Sequence, residues 1–152
     1  LDEWLEKTIS DEDADEFREV LGKILQSCRA LDEAGLDHGE LSNPSHHVVV
    51  KPDKQPVLID FETASQSRRV SNVTSMCQYL FIGGTYAEQI RKLMKTKPVE
   101  EVIQALREYK KKLSEEAFAK VLEATNLASA LLSNRHDTEK GVQRCRPRST
   151  TS

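Results

Sequence analysis

Long hydrophobic runs, paired cysteines and a broad excess of positive charge are all missing from this chain. No apolar stretch approaches the roughly 18 residues that a membrane-spanning helix needs, so no membrane partner is expected. The first residues are acidic, and no secretory signal is expected in them. Cys28, Cys77 and Cys145 are odd in number and show no Cys-x-x-Cys spacing. Neither a zinc site nor a disulfide framework follows from them, and an intracellular, reduced setting, the cytoplasm, fits best. Aromatic residues are scarce at 5%, but a hydrophobic content of 38% over 152 residues still suffices for one core. With a net charge of −3 no broad basic surface forms, and nucleic acid is not expected as a partner.

What charge there is lies unevenly. Leu1 to Val20 carries nine acidic residues against Lys7 and Arg18, which reads as a solvated face. The end, Asn134 to Ser152, is almost without apolar residues and carries Arg144, Arg146 and Arg148. Residues 133–152 are therefore expected to be a disordered polar and basic tail behind one domain, 1–132.

Periodicity makes that domain mostly helical. Leu1 to Lys7 reads as an amphipathic helix. Ser10 or Asp11 can cap a second, whose apolar positions Phe17, Val20, Leu21, Ile24, Leu25, Cys28 and Leu31 recur at three and four before Gly35. Val73, Met76, Cys77, Leu80 and Phe81 predict a helix from Asn72 to Gly83-Gly84, followed by helices over Tyr86 to Lys95, Pro98 to Lys112 and Glu115 to Leu132. The β signal is confined to Val48-Val49-Val50 and Val57-Leu58-Ile59, joined by the Pro/Asp turn Lys51 to Pro56. The fold class is α+β, mostly α, with one short hairpin.

Leu36 to Asn43, just before that hairpin, has neither helical nor strand period and reads as an ordered loop on a rigid scaffold. Glu40 lies in it, and Asp60 ends the second strand. The two carboxylates can converge at one end of the ribbon, where they could serve a divalent cation and a hydroxyl.

His38-Gly39-Glu40, the hairpin and Asp60-Phe61-Glu62, in that order, resemble the C-terminal lobe of the protein-kinase-like fold. The resemblance covers Leu1 to Leu132 and is to the atypical archaeal-type predicted serine/threonine kinases related to the Rio kinases. It implies an ATP-dependent phosphotransferase, with magnesium and ATP as cofactors and a hydroxyl acceptor that the sequence does not identify. Glu40 stands where the family has its catalytic Asp, and Asp60 matches the main metal carboxylate. The metal-binding Asn falls at Ser45 in this register, so Asn43 and Ser45 are the candidate cofactor and metal ligands beside Asp60. His38 is implied to be a structural group that holds the loop, with Phe61 beside it. No Ala-Pro-Glu follows in Thr63 to Val70, and Glu62 replaces the Gly of the second triplet. A peptide platform and a flipping switch are not expected.

The glycine-rich loop and strand lysine of the family have no match before Leu36. The N-terminal lobe is thus expected to be missing from this sequence, leaving it inactive alone. Removing that lobe is expected to uncover some of Val48, Val50, Val57 and Ile59, and hence to favour self-association. A second reading stays open beside the first: a pseudokinase or interaction module that keeps only the lobe. Among other residues, His46-His47 read as neighbours on opposite strand faces rather than a shared metal site. Trp4 and Tyr109 read as core. Arg68-Arg69 is either a solvated loop pair or an attractor of phosphate or an acidic substrate.

Overall fold

Six helices and a two-stranded antiparallel ribbon make up residues 1–129, the part described by a computed structural model. The expected tail 133–152, and the end of the last helix up to Leu132, lie outside the described residues. The chain runs α1 (Asp2–Ser10), α2 (Ala14–Glu33), a short 3-10 turn (Pro44–His46), β1 (Val48–Val50), β2 (Pro56–Leu58), α3 (Asn72–Cys77), α4 (Ala87–Met94), α5 (Val99–Lys112) and α6 (Glu115–Ala124). The domain is α+β and mostly helical, as its periodicity implies. No helix among the described residues is long and apolar enough to cross a membrane.

The central element is α2. Its stripe Phe17, Val20, Leu21, Ile24, Leu25 and Cys28 is buried, and it packs against α1, β2, α3 and α4. The cap differs from the expected Ser10 or Asp11. Ser10 still belongs to α1, Glu12 turns the chain through a left-handed conformation (φ 53°), and Asp13 accepts the Glu16 amide at 2.9 Å. One carboxylate oxygen thereby satisfies an orphan N–H of the first turn.

The helix expected from Asn72 to Gly83 is α-helical only as far as Cys77, and Gln78–Gly83 continue it as a π-helix. Its end needs a glycine because a Cβ on Gly84 would lie 2.0 Å from the Tyr79 carbonyl oxygen. The last helix, expected to run through to Leu132, is interrupted after Ala124: the chain turns at Thr125 to Leu127 and is helical again at Ala128 and Ser129, the last described residues. Asn126 takes φ 58°, its side-chain amide donates to the Met94 carbonyl at 2.9 Å, and the Leu127 amide returns to Leu122 O at 2.8 Å. A left-handed Asn closing one helix while capping another is a local break that apolar spacing does not reveal.

In the ribbon Val48 pairs with Leu58, Val49 with Val57 and Val50 with Pro56. The apolar residues it exposes are Val49 (45%), Val57 (39%), Ile59 (39%) and Phe61 (41%). Val48 is buried and Val50 partly so, packed on the core. Of Val48, Val50, Val57 and Ile59, some of which are expected at the surface, Val57 and Ile59 are exposed. The α2 helix covers the other face of the ribbon.

Tyr109 is fully buried, whereas Trp4 is half-buried and donates its indole N–H to Glu16 at 3.0 Å. Burial, the neighbouring thiol and the Asp32 carboxylate push the Cys28 thiol well up; burial, then Asp32, does the same at Cys77. Both are inert core residues.

Candidate functional site

Leu36 to Leu41 leaves α2 through Gly35 (φ 71°) and runs beside the segment that follows β2. The two are stitched by paired backbone hydrogen bonds between Asp37 and Ser65, at 3.0 and 2.9 Å. His38 lies between them, fully buried. Its Nε2 is 2.9 Å from the Ile59 carbonyl oxygen. A carbonyl can only accept, so Nε2 carries the proton and Nδ1 accepts the Glu40 amide at 3.4 Å. The ring also packs against Phe61, tilted at 57° with centroids 4.6 Å apart, and meets the His47 ring edge-on at 5.4 Å. His38 thus fastens the loop to the end of the ribbon.

Gly39 follows with φ 92°. A Cβ there would come within 2.5 Å of Arg68 Nη2 and 3.0 Å of the Thr63 carbonyl oxygen. Gly39→Ala is therefore expected to cost about 1–3 kcal/mol through backbone strain and displacement of Arg68. A urea midpoint equal to that of the unaltered protein would show that the turn has more room than this geometry allows.

Glu40, half-buried, accepts the Thr63 hydroxyl on Oε1 at 3.3 Å, so its carboxylate sits against the segment that begins with Asp60. Asp60 is exposed and left-handed (φ 61°). Among the described residues the His47 ring lies beside it, with Nδ1 3.9 Å from Oδ2, and that nitrogen has no hydrogen-bond partner. His46 and His47 are not strand neighbours: His46 ends the 3-10 turn and His47 follows it, because Pro44 starts a turn before the ribbon.

Asn43 and Ser45 turn elsewhere. The Ser45 hydroxyl lies 2.9 Å from Asp2 Oδ2, 3.2 Å from Asn43 Oδ1 and 3.3 Å from the Tyr79 hydroxyl, while Tyr79 donates to Asp2 Oδ1 at 2.6 Å. Burial, then the bond to Asp2, raises the Tyr79 phenol above its ordinary pKa. Asp2, Asn43 and Ser45 wall a cavity of about 640 Å³ between the start of α1 and β1, lined also by Trp4, Val48 and Val50. No hydrogen bond joins Asn43 or Ser45 to Asp60, and among the described residues no group of three or more His, Cys, Asp or Glu side chains is arranged to hold a metal ion.

Beneath the loop lie the buried polar residues Asp32, Asp37 and Asn72, to which no motif in the sequence assigns a role at the site. Asp37 accepts the Ser71 amide on Oδ1 at 2.8 Å and the Arg68 Nε–H on Oδ2 at 2.6 Å, and Arg68 Nη2 also reaches the Thr63 carbonyl at 3.0 Å. Arg68 is thus committed to both strands of the site. Asn72 accepts the His38 amide at 2.8 Å and donates its side-chain N–H to the Leu36 carbonyl and to Asp32 Oδ1, both at 2.8 Å. Asp32, from the end of α2, also receives the amides of Asn72 and Val73 and the Tyr109 hydroxyl at 2.6 Å. The orphan N–H groups of α3 are therefore met by buried carboxylates from elsewhere in the fold. A polar residue at 32, four positions after the buried Cys28, was the available signal: it falls on the apolar stripe of α2.

No family model matches the chain. It is similar to an uncharacterized protein of Methanocaldococcus jannaschii, 29% identical over 89 residues that span 59% of this chain and 75% of that protein.

Proposed function

We propose that this chain is the catalytic lobe of an ATP-dependent phosphotransferase of the protein-kinase-like class, acting on a hydroxyl acceptor. The observation that supports it most is the stitching of the Glu40 loop to the Asp60–Thr63 step through His38, Thr63 and Arg68. Phosphoryl transfer asks for positioning and charge more than covalent chemistry, and a braced pair of loops suits that need. Asp60, exposed and without a strong cation partner, fits a metal carboxylate; Asn43 would join it only by giving up its bond with Ser45. Magnesium, when bound with ATP, would neutralise charge on the phosphate oxygens. Glu40 would orient the acceptor hydroxyl and take its proton late, while His38 keeps the Glu40 amide in place. Val49, Val57, Ile59 and Phe61 form the apolar surface that a covering lobe, or a second copy of the chain, would bury.

The chain by itself is expected to turn over no ATP, because none of its segments offers a glycine-rich loop to cover the phosphates. The test is magnesium-dependent transfer from ATP, measured for this chain and for the product of its full reading frame. Transfer by the latter alone is the expected result; transfer by neither would count against the reading. One observation favours the second reading, an interaction module without catalysis: Glu40, Asn43 and Ser45 already have protein partners for their oxygens. On that reading magnesium-ATP would leave the melting temperature of the full product unchanged.

A further inference from the structure

The Arg68-Arg69 pair divides its work. Arg68 belongs to the loop site, whereas Arg69 reaches away from it and donates to the Lys110 carbonyl at 2.5 Å, near the end of α5. Between Arg69 and α5 lies a recess of about 630 Å³, lined by Gln104, Arg107, Glu108, Lys110, Lys111 and Lys112. Lys112 is neutralised by Glu108, which also takes Lys120, and the two ammonium groups hold the Glu108 carboxyl down at about 2. Arg69, Arg107, Lys110 and Lys111 are exposed and, among the described residues, have no carboxylate partner.

Cations at a helix C-terminus ordinarily answer the macrodipole, which accounts for Lys110 and Lys111. It does not account for Arg107, a turn earlier, or for Arg69, which comes from another segment and is held in place by its bond to a carbonyl. Four unpaired cations around one recess repel each other until an anion enters.

We propose that this recess docks an acidic, carboxylate-rich segment of a partner polypeptide. On the phosphotransferase reading above that partner is the acceptor. Arg69 follows Arg68, so the docked segment would lie one residue along the chain from the side chain that clamps Asp37 and Thr63.

A nucleic acid fits less well. The aromatic rings nearest α5, Tyr109 and Phe118, are buried and give bases no platform for stacking. The nine acidic residues of Leu1 to Val20 would also repel an extended polyanion passing over the rest of the surface.

The test is fluorescence anisotropy of a short labelled peptide of Asp and Glu, titrated with the protein in the absence of ATP at about 50 mM salt, where surface charges are weakly screened. The protein should bind it, and the double variant R107E/K111E should weaken binding roughly tenfold or more, the sum expected for exposed charge pairs. Both positions are on the surface, and an unchanged circular dichroism spectrum checks that the variant folds. Lys51→Glu, in the hairpin turn, makes a charge reversal away from the recess and should leave binding as it was. No binding, equal weakening by Lys51→Glu, or tighter binding of an RNA oligonucleotide of the same charge would each overturn the proposal. Asp60→Asn should bind the peptide normally. The docking site can therefore fail while phosphotransfer stands, or stand while phosphotransfer fails.

Discussion

Asp60→Asn is expected to reduce magnesium-dependent phosphotransfer by the full-length product by more than about 10³-fold, the rate equivalent of the several kcal/mol that a metal contributes to transition-state charge. The substitution is a clean one. Asparagine tolerates the left-handed backbone at this position (φ 61°) as well as aspartate does, and the side chain is exposed, so the fold should lose less than about 0.5 kcal/mol. Only the negative charge is removed. Glu40→Gln should cost less, within the range of about 10²–10⁴ that is typical of a general base, and towards its lower end if the transition state is loose. Gln retains an oxygen to accept the Thr63 hydroxyl, so its effect also reports on charge rather than on loop position. Steady-state rates of the two variants decide the ranking. A loss at Glu40 equal to or greater than that at Asp60 would make the loop carboxylate dominant and reverse the roles assigned to the pair.

Asp32→Ala should be the most damaging single change to stability, at about 3–5 kcal/mol, the cost of removing one partner from a buried charged network. Four donors lose their acceptor at once: the Asn72 amide and side-chain N–H, the Val73 amide and the Tyr109 hydroxyl. Burial, and then the bond to Asp32, keeps the Tyr109 phenol protonated and donating. Against a total stability of about 5–15 kcal/mol for a domain, that loss is large. Tyr109→Phe removes a single donor to the same carboxylate and should cost about 1.5–3 kcal/mol. Equilibrium urea unfolding measures both. A loss below about 1 kcal/mol for Asp32→Ala would mean that water enters and satisfies the start of α3, and the carboxylate would no longer count as the anchor of the loop.

The helices were legible because their signal is short-ranged. Phe17, Val20, Leu21, Ile24, Leu25 and Cys28 mark one face of α2 wherever the helix is placed, and the two Val-rich runs with a Pro/Asp turn mark the ribbon. The ring of His38 is bonded to the Ile59 carbonyl. Boundaries fared worse where a single residue breaks the pattern: Glu12 between α1 and α2, Asn126 after α6, and the change of helix type after Cys77.

Apolar spacing by itself determined the helical class of the domain and its buried stripes. Only the tertiary structure decided what those loops rest on. Asp32 and Asn72 are 40 residues apart, and Arg68 and Asp37 are 31 apart. Ser45 is bonded to Asp2, Tyr79 and Asn43, and no hydrogen bond joins Asn43 or Ser45 to Asp60. A polar side chain can bond any donor or acceptor that the fold brings within about 3 Å, so its partner depends on packing between distant elements rather than on its neighbours in the chain.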